Sequence, residues 1–285
     1  MQTQTIVQPE FTTIDGHRIR YAASRREGYP QLLLTSPQPQ SILAYEQWWE
    51  RLTQQFDLVA VDLPNHGHSD AVAEITTVSQ QAAFFGKILE HFGLDHPHLV
   101  APDVGTPTSL RFMADNPGRI KSAIVGDAGC VGQVDGAWLF RQLVYSPVVQ
   151  QLTLLGGGAI GGRIYCASAN SVGYKRYTPP KHILKDYLAG STDIKKLRGQ
   201  VKFLGSYPNE TPQLAKDVPS IKSPILVLHG EYDTFVAVSN SQRLHELLPN
   251  SEFALIEDAG HYSYEDNAEQ YLAHVLRWIA RAESS

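Results

Sequence analysis

The residue with the strongest claim to chemistry is Asp103, in the run Leu99-Val100-Ala101-Pro102-Asp103-Val104-Gly105-Thr106. Apolar residues precede it as in a buried strand, and helical spacing follows it. The small residues Ala101 and Gly105 stand two positions to either side. A tight strand-to-helix turn requires that spacing, because bulk at either position would strike the neighbouring strand or the start of the helix. Such a turn lifts its central side chain above the sheet. It also aims the next backbone N–H, that of Val104, and the positive end of a helix at the same point. A carboxylate held there is ionised at neutral pH and needs no base to activate it. It can displace a leaving group from saturated carbon and be left as an alkyl ester, which water can cleave. A helix N-cap ahead of Thr106-Pro107 is the plainer role for an aspartate, but it leaves the paired small residues unexplained.

The elements that must hold Asp103 follow from hydrophobic periodicity. FTTIDGHRIRYAAS (11–24) alternates around Asp15-Gly16 and predicts a hairpin. QLLLT (31–35), FDLVAVDLP, HLVAPD and IKSAIVGDA are short apolar runs of the buried parallel-strand kind. Between them, helical spacing predicts helices over Tyr45–Phe56, Val78–Phe92 and Thr106–Asn116. The alternation stops near residue 128 and resumes with SPILVLHGEYD (223–233), a helix at Ser239–Leu248, the strand EFALIED (252–258) and a helix over Glu265–Ala282. The expected architecture is α/β: a mostly parallel sheet flanked by helices, built from 1–128 and 219–285, with a helical lid over 129–218. The lid would cap the carboxyl edge of the sheet, where open α/β sheets place their sites.

The turn around Asp103 resembles the nucleophile elbow of the α/β-hydrolase fold family, in which most members carry serine. The aspartate variant is similar to epoxide hydrolases and haloalkane dehalogenases. FTTIDGHRIRY, VAVDLPNHGHSD, NPGRIKSAIV, LVLHGEYDTFV and DAGHYSYEDN carry the resemblance along the chain outside the lid. It implies Asp103 as nucleophile, His261 as the base that activates water, and Asp233 as the acid orienting His261. Asp127, at the end of the strand after the elbow helix, is the rival acid.

Relatives carry His-Gly-X-Pro after the third strand, where this chain reads Ser36-Pro37-Gln38-Pro39. Aligned on the prolines, Gln38 would supply a backbone N–H to an oxyanion hole completed by Val104. One residue earlier, Pro37 would stand there with no N–H to give. Related epoxide hydrolases protonate the ring oxygen with two lid tyrosines. The insert offers Tyr145, Tyr165, Tyr174, Tyr177, Tyr187 and Tyr207, of which sequence distance favours Tyr207 and Tyr145. Dehalogenases tend to place tryptophan after the nucleophile; Val104 counts against halide chemistry. The leading expectation is a cofactor-independent epoxide hydrolase. Haloalkane dehalogenation and a ligand-binding, lyase or cyclisation scaffold that has lost hydrolysis are the alternatives.

Composition narrows the remaining classes. The 285 residues are 42% hydrophobic and 19% charged, with 24 Lys+Arg against 29 Asp+Glu and a net charge of -5. No basic tract suggests nucleic acid. No apolar run approaches the roughly 20 residues of a membrane helix, so no membrane partner is expected. The N-terminal sequence lacks a signal-peptide layout and the two cysteines do not suggest a disulfide framework, so the expected location is cytoplasmic. The run from Gly156 to Gly161 matches GxGxxG without a strand–helix context, and His66-Gly67-His68-Ser69-Asp70 imitates a metal motif at the family's glycine turn. Neither implies a cofactor or metal. The aromatic lid suggests a small apolar substrate that could carry a ring.

Overall fold

The computed structural model describes residues 6–284. Eight strands form one sheet: β1 (Glu10–Ile14), β2 (His17–Ser24), β3 (Gln31–Thr35), β4 (Asp57–Val61), β5 (His98–Pro102), β6 (Ser122–Gly126), β7 (Ile225–Gly230) and β8 (Ser251–Ile256). Their order is β1-β2-β4-β3-β5-β6-β7-β8, antiparallel at β1/β2 and β2/β4 and parallel elsewhere. The helices are α1 (Trp49–Thr53), α2 (Val78–Phe92), α3 (Gly105–Asp115), α4 (Trp138–Tyr145), α5 (Pro147–Leu155), α6 (Arg163–Val172), α7 (Lys181–Gly190), α8 (Ile194–Asp217), α9 (Ser239–Leu247), α10 (Ser263–Asp266) and α11 (Ala268–Ser284). Helices α4–α8 lie between β6 and β7.

The continuous apolar runs in β3–β7 have a simple cause: both faces of the sheet are covered. Successive residues point to opposite faces. Leu33, Val59, Leu99 and Val125 therefore join a core with Phe85, Ile88, Leu110 and Phe112 of α2 and α3. Leu32, Leu34, Val100 and Ile124 join a second core with Trp48, Tyr271, Val275 and Trp278. Each fully buried aliphatic side chain of this kind stabilises the fold by about 1.5–3 kcal/mol.

Two expected helices take other forms. Ser41 caps a 3₁₀ turn at Ile42–Tyr45, and only Trp49–Thr53 is α-helical, in place of one helix from Tyr45 to Phe56. The aromatic periodicity there reports burial of Tyr45 and Trp48 against Tyr264 and Tyr271 rather than a long helix. The last expected helix is interrupted at Asn267, between α10 and α11.

The inserted helices meet the sheet body around a buried carboxyl group. Glu265 of α10 accepts hydrogen bonds from Tyr174 Oη (2.6 Å), Tyr187 Oη (3.0 Å) and Gln40 Nε2 (2.6 Å). Burial pushes its pKa up to about 8, against the hydrogen bonds of Tyr174 and Tyr187. The folded state thus holds a proton that the unfolded chain releases near 4.5. Stability from this group is full below that value and is lost as pH rises through about 8. Urea unfolding across this range should show wild-type stability falling with pH, and Glu265→Gln should flatten the slope. An unchanged slope would place the titration elsewhere.

Candidate active site

The strand-to-helix turn is built as its small residues require. Asp103 has φ 53°, a left-handed conformation that costs a non-glycine residue about 1–3 kcal/mol. The surroundings hold it there. Asp103 N–H donates to Gly126 O at 2.9 Å, and Thr106 N–H donates to Asp103 O at 2.9 Å. Thr106 Oγ1 lies 2.9 Å from Ala101 O and accepts Gly126 N–H at 2.9 Å. A Cβ on Gly105 would stand 2.3 Å from Thr35 Oγ1 on β3 and 3.1 Å from Ala101 Cβ. Neither small residue can grow without moving α3 off the sheet.

Three loops from the carboxyl edge converge on the Asp103 carboxylate. From the loop after β3, Gln38 N–H donates to Oδ2 at 2.6 Å. That contact decides the register left open by the two prolines: residue 38, not Pro37, faces the carboxylate. Val104 N–H, the other expected oxyanion donor, makes no hydrogen bond among the described residues. From the loop after β8, His261 Nε2 lies 3.8 Å from Oδ1, a charge contact beyond hydrogen-bond length. From the loop after β7, Asp233 Oδ2 accepts from His261 Nδ1 at 2.8 Å. A carboxylate can only accept, so Nδ1 carries the proton and Nε2 is turned to Asp103.

Asp233 is fixed on every side. Its Oδ1 accepts the N–H groups of Phe235 (2.7 Å) and Val236 (2.9 Å), and His229 Nε2 stands 3.2 Å from Oδ2. Burial opposes its ionisation, but the two imidazoles outweigh that and hold it well below the usual carboxylate range. Burial likewise opposes a charge on His261. Asp233 and Asp103, on its two nitrogens, outweigh it and raise its pKa well above the ordinary imidazole value. The rival Asp127 is committed elsewhere. It accepts Gly230 N–H at 2.9 Å and Ser263 Oγ–H at 2.5 Å, and burial pushes its pKa up to about 6.

The tyrosines divide differently from the expectation based on sequence distance. Tyr207 is buried on α8, with its ring against Phe203. Its hydroxyl has no hydrogen-bond partner among the described residues, and burial together with the Asp103 charge raises its pKa. Tyr145 is not brought to Asp103. Its ring is 37% exposed, and its hydroxyl accepts Val134 N–H at 2.7 Å, tying the end of α4 to the preceding loop. Tyr165 of α6 is linked to the Asp103 loop through Gln38. Its hydroxyl lies 2.8 Å from Gln38 Nε2, and burial chiefly, with the Asp103 charge, raises its pKa. Gln38 Oε1 in turn lies 3.0 Å from His66 Nε2. Burial lowers the His66 pKa to about 4, so this imidazole is neutral at physiological pH.

The other motifs resolve as structure. His68 Nε2 contacts Asp186 O at 3.0 Å, and Asp70 accepts Arg18 N–H at 2.8 Å. With His66 on Gln38, the three side chains of the metal-like run point apart. Residues Gly157–Gly162 form a π-helical turn, where a Cβ on Gly158 would meet Thr192 O at 2.1 Å. These glycines allow two backbones to approach. Sequence reasoning missed Tyr165, His66 and His229. A buried histidine directly before Gly230-Glu231 has no distinguishing local signal, whereas Tyr165 was visible as one of six tyrosines.

A model of the α/β-hydrolase fold matches residues 38–135 and 182–268, more than half of the chain. The chain belongs to the α/β-hydrolase fold family. Among relatives of this hydrolase, the 2-hydroxy-6-oxononadienedioate/2-hydroxy-6-oxononatrienedioate hydrolase of Burkholderia vietnamiensis is 23% identical over 235 residues, covering 79% of this chain and 77% of the relative. The dihydrolipoyllysine-residue acetyltransferase component of the acetoin cleaving system of Cupriavidus necator is 26% identical over 276 residues, covering 93% and 67%. A haloalkane dehalogenase loop variant from Bradyrhizobium elkanii superposes with a TM-score of 0.80 at 18% identity, over 98% of each chain. A carboxylesterase from Bacillus subtilis does so with 0.77 at 18% identity, over 96% of this chain and 91% of its own. At these identities the solved structures share the fold and no more. Among the described residues, no helix of this hydrolase is long and apolar enough to cross a membrane.

The shared dependence of His261 on two carboxylates is measurable without substrate. In NMR titrations of the imidazole, Asp233→Asn should lower the His261 midpoint by at least about one pH unit. Asp127→Asn should change it less. The reverse ranking would make Asp127 the acid that orients His261.

Proposed function

We propose that this α/β-hydrolase opens epoxides to vicinal diols through an alkyl ester on Asp103. One observation carries the reading: a carboxylate, not a hydroxyl, stands at the elbow, with Gln38 N–H on one oxygen, His261 beside the other, and the unpartnered hydroxyl of Tyr207 within its field. Oδ1 attacks a ring carbon, the C–O bond breaks and its electron pair passes to the ring oxygen. Tyr207 gives that oxygen its proton. A phenol remains a stronger acid than an alcohol even when burial raises its pKa, so the transfer is favourable. Tyr165, already bonded to Gln38, positions the oxygen with a second hydroxyl.

Alkylation then prepares the next step. Esterified Asp103 is neutral, and His261 loses one of the two charges that keep it protonated. Removing a unit charge at about 4 Å is worth about 4 kcal/mol at an effective dielectric of 20. That change favours loss of the His261 proton, which returns to the Tyr207 phenolate and leaves a neutral base. His261 takes a proton from water, and the resulting hydroxide attacks Asp103 Cγ. The charge developing on Oδ2 falls to the N–H groups of Gln38 and Val104. Collapse breaks the Cγ–Oδ1 bond, the departing alkoxide takes the proton of the hydroxyl gained from water, and the diol leaves with Asp103 restored as a carboxylate and His261 holding the other proton of that water. Residue 104 offers only its backbone to a leaving group, which favours an epoxide oxygen over a halide.

Asp103→Asn should abolish turnover of an aryl epoxide with the fold intact. His261→Gln should form the ester and fail to cleave it, leaving one substrate mass on Asp103 in intact-protein mass spectrometry. In single-turnover measurements Tyr207→Phe should slow alkylation by on the order of 10²-fold. Tyr165→Phe should slow it less, and Tyr145→Phe should leave it within about twofold. Full activity of Asp103→Asn without deamidation, or faster turnover of a bromoalkane than of the epoxide, would remove this reading.

A further inference from the structure

The outer face of the inserted helices is apolar, cationic and uncovered. Helix α5 has the sequence PVVQQLTLL and contains no buried residue. Val148, Leu152 and Leu155 repeat at helical spacing along its exposed side, Leu155 being 79% exposed. Ile160 and Ile164 extend the exposed row through the π-helical turn into α6. Trp138, 72% exposed, adds an aromatic ring on α4, which packs against α5. A soluble helix ordinarily turns such a stripe inward; here it faces out.

The charged side chains of α4–α6 are of one sign. These helices carry Arg141 and Arg163 and no aspartate or glutamate, while Lys175 and Arg176 lie off this face, over Tyr232 and beside Asp258. The chain as a whole carries -5, so the acidic excess lies entirely elsewhere. Arg163 sits between Ile160 and Ile164 and is exposed. A second copy pairing through this face about a two-fold axis would set the arginines of α4–α6 against one another, with no carboxylate of these helices to meet them. A lipid surface carrying anionic headgroups offers the complementary arrangement: acyl chains for the leucines, isoleucines and Trp138, and phosphates for the arginines.

We infer that the face formed by α4, α5 and the start of α6 docks on an anionic lipid surface. This differs from the absence of a membrane partner expected from the sequence, which rested on the lack of a spanning segment; helices lying flat in the interface need none. Ile164 and Tyr165 are neighbours on α6, so the helix resting on lipid also borders the site through Tyr165 and Gln38. The inference stands on exposure and charge and does not depend on the reaction proposed above.

Sedimentation with vesicles tests it. The full chain should bind phosphatidylcholine vesicles containing phosphatidylglycerol at least roughly tenfold more than pure phosphatidylcholine, and about 0.5 M salt should weaken that binding. Leu152→Glu combined with Leu155→Glu should abolish it, with circular dichroism and activity on a soluble substrate unchanged. Arg163→Glu should reduce it. Light scattering should report a monomer for the parent at the same concentration. No sedimentation, equal binding to both vesicle types, or a dimer that the double variant dissociates would overturn the inference, the last by making a second copy the occupant.

Discussion

The site hangs on one strained residue. Asp103 keeps a left-handed backbone because the chain passes from β5 into α3 within a turn that has no room to relax. β5 lies between β3 and β6, so the turn is clamped from both sides: Gly105 against Thr35, and Asp103 N–H on Gly126 O. A left-handed residue at this junction raises its carboxylate above the sheet edge instead of laying it along the helix. The loops that bring Gln38, Asp233 and His261 start from β3, β7 and β8, each ending at the same edge as β5. The parallel register thus becomes a convergence of side chains.

Electrostatics turns that convergence into a sequence of states. Two carboxylates flank His261, and a second buried histidine, His229, lies beyond Asp233. Both carboxylates raise the basicity of the imidazole, which is thereby tied to the state of Asp103. A serine at the elbow would carry no such charge, and His261 would have to act as base before the nucleophile could attack. With an aspartate there, the order of events in the proposed reaction follows from which charge is present.

The parts of this arrangement governed by local rules were legible in the sequence. Ala101 and Gly105 announced the turn because a Cβ at position 105 has nowhere to go, and the alternating runs announced a sheet covered on both faces. The loop from Ser36 to Pro39 was ambiguous because proline spacing alone allows two registers; only the Gln38 N–H on Asp103 separates them. Of the tyrosines, the second was not legible. Sequence distance placed Tyr145 near the site, but where α4 and α6 stand over the sheet is set by packing on α8 and the π-helical turn, which no local pattern encodes. The long helix expected over Tyr45–Phe56 failed for a related reason: buried aromatic residues repeat at helical spacing, while the backbone is a 3₁₀ turn up to Tyr45 and becomes α-helical only at Trp49.

Gln38 joins two tasks that use different atoms. Its peptide N–H meets the Asp103 carboxylate, and any residue except proline could offer that group. Its side-chain amide runs from His66 to Tyr165, and few residues could replace it there. Substitution at this one position can therefore change how the second phenol is held while the donor to Asp103 is retained. A descendant of this chain could exchange the molecules it accepts without first losing the means to stabilise a hydrolytic intermediate. In the proposed reaction, position 38 is a place where specificity can drift and catalysis persist, because the backbone and the side chain answer to separate constraints.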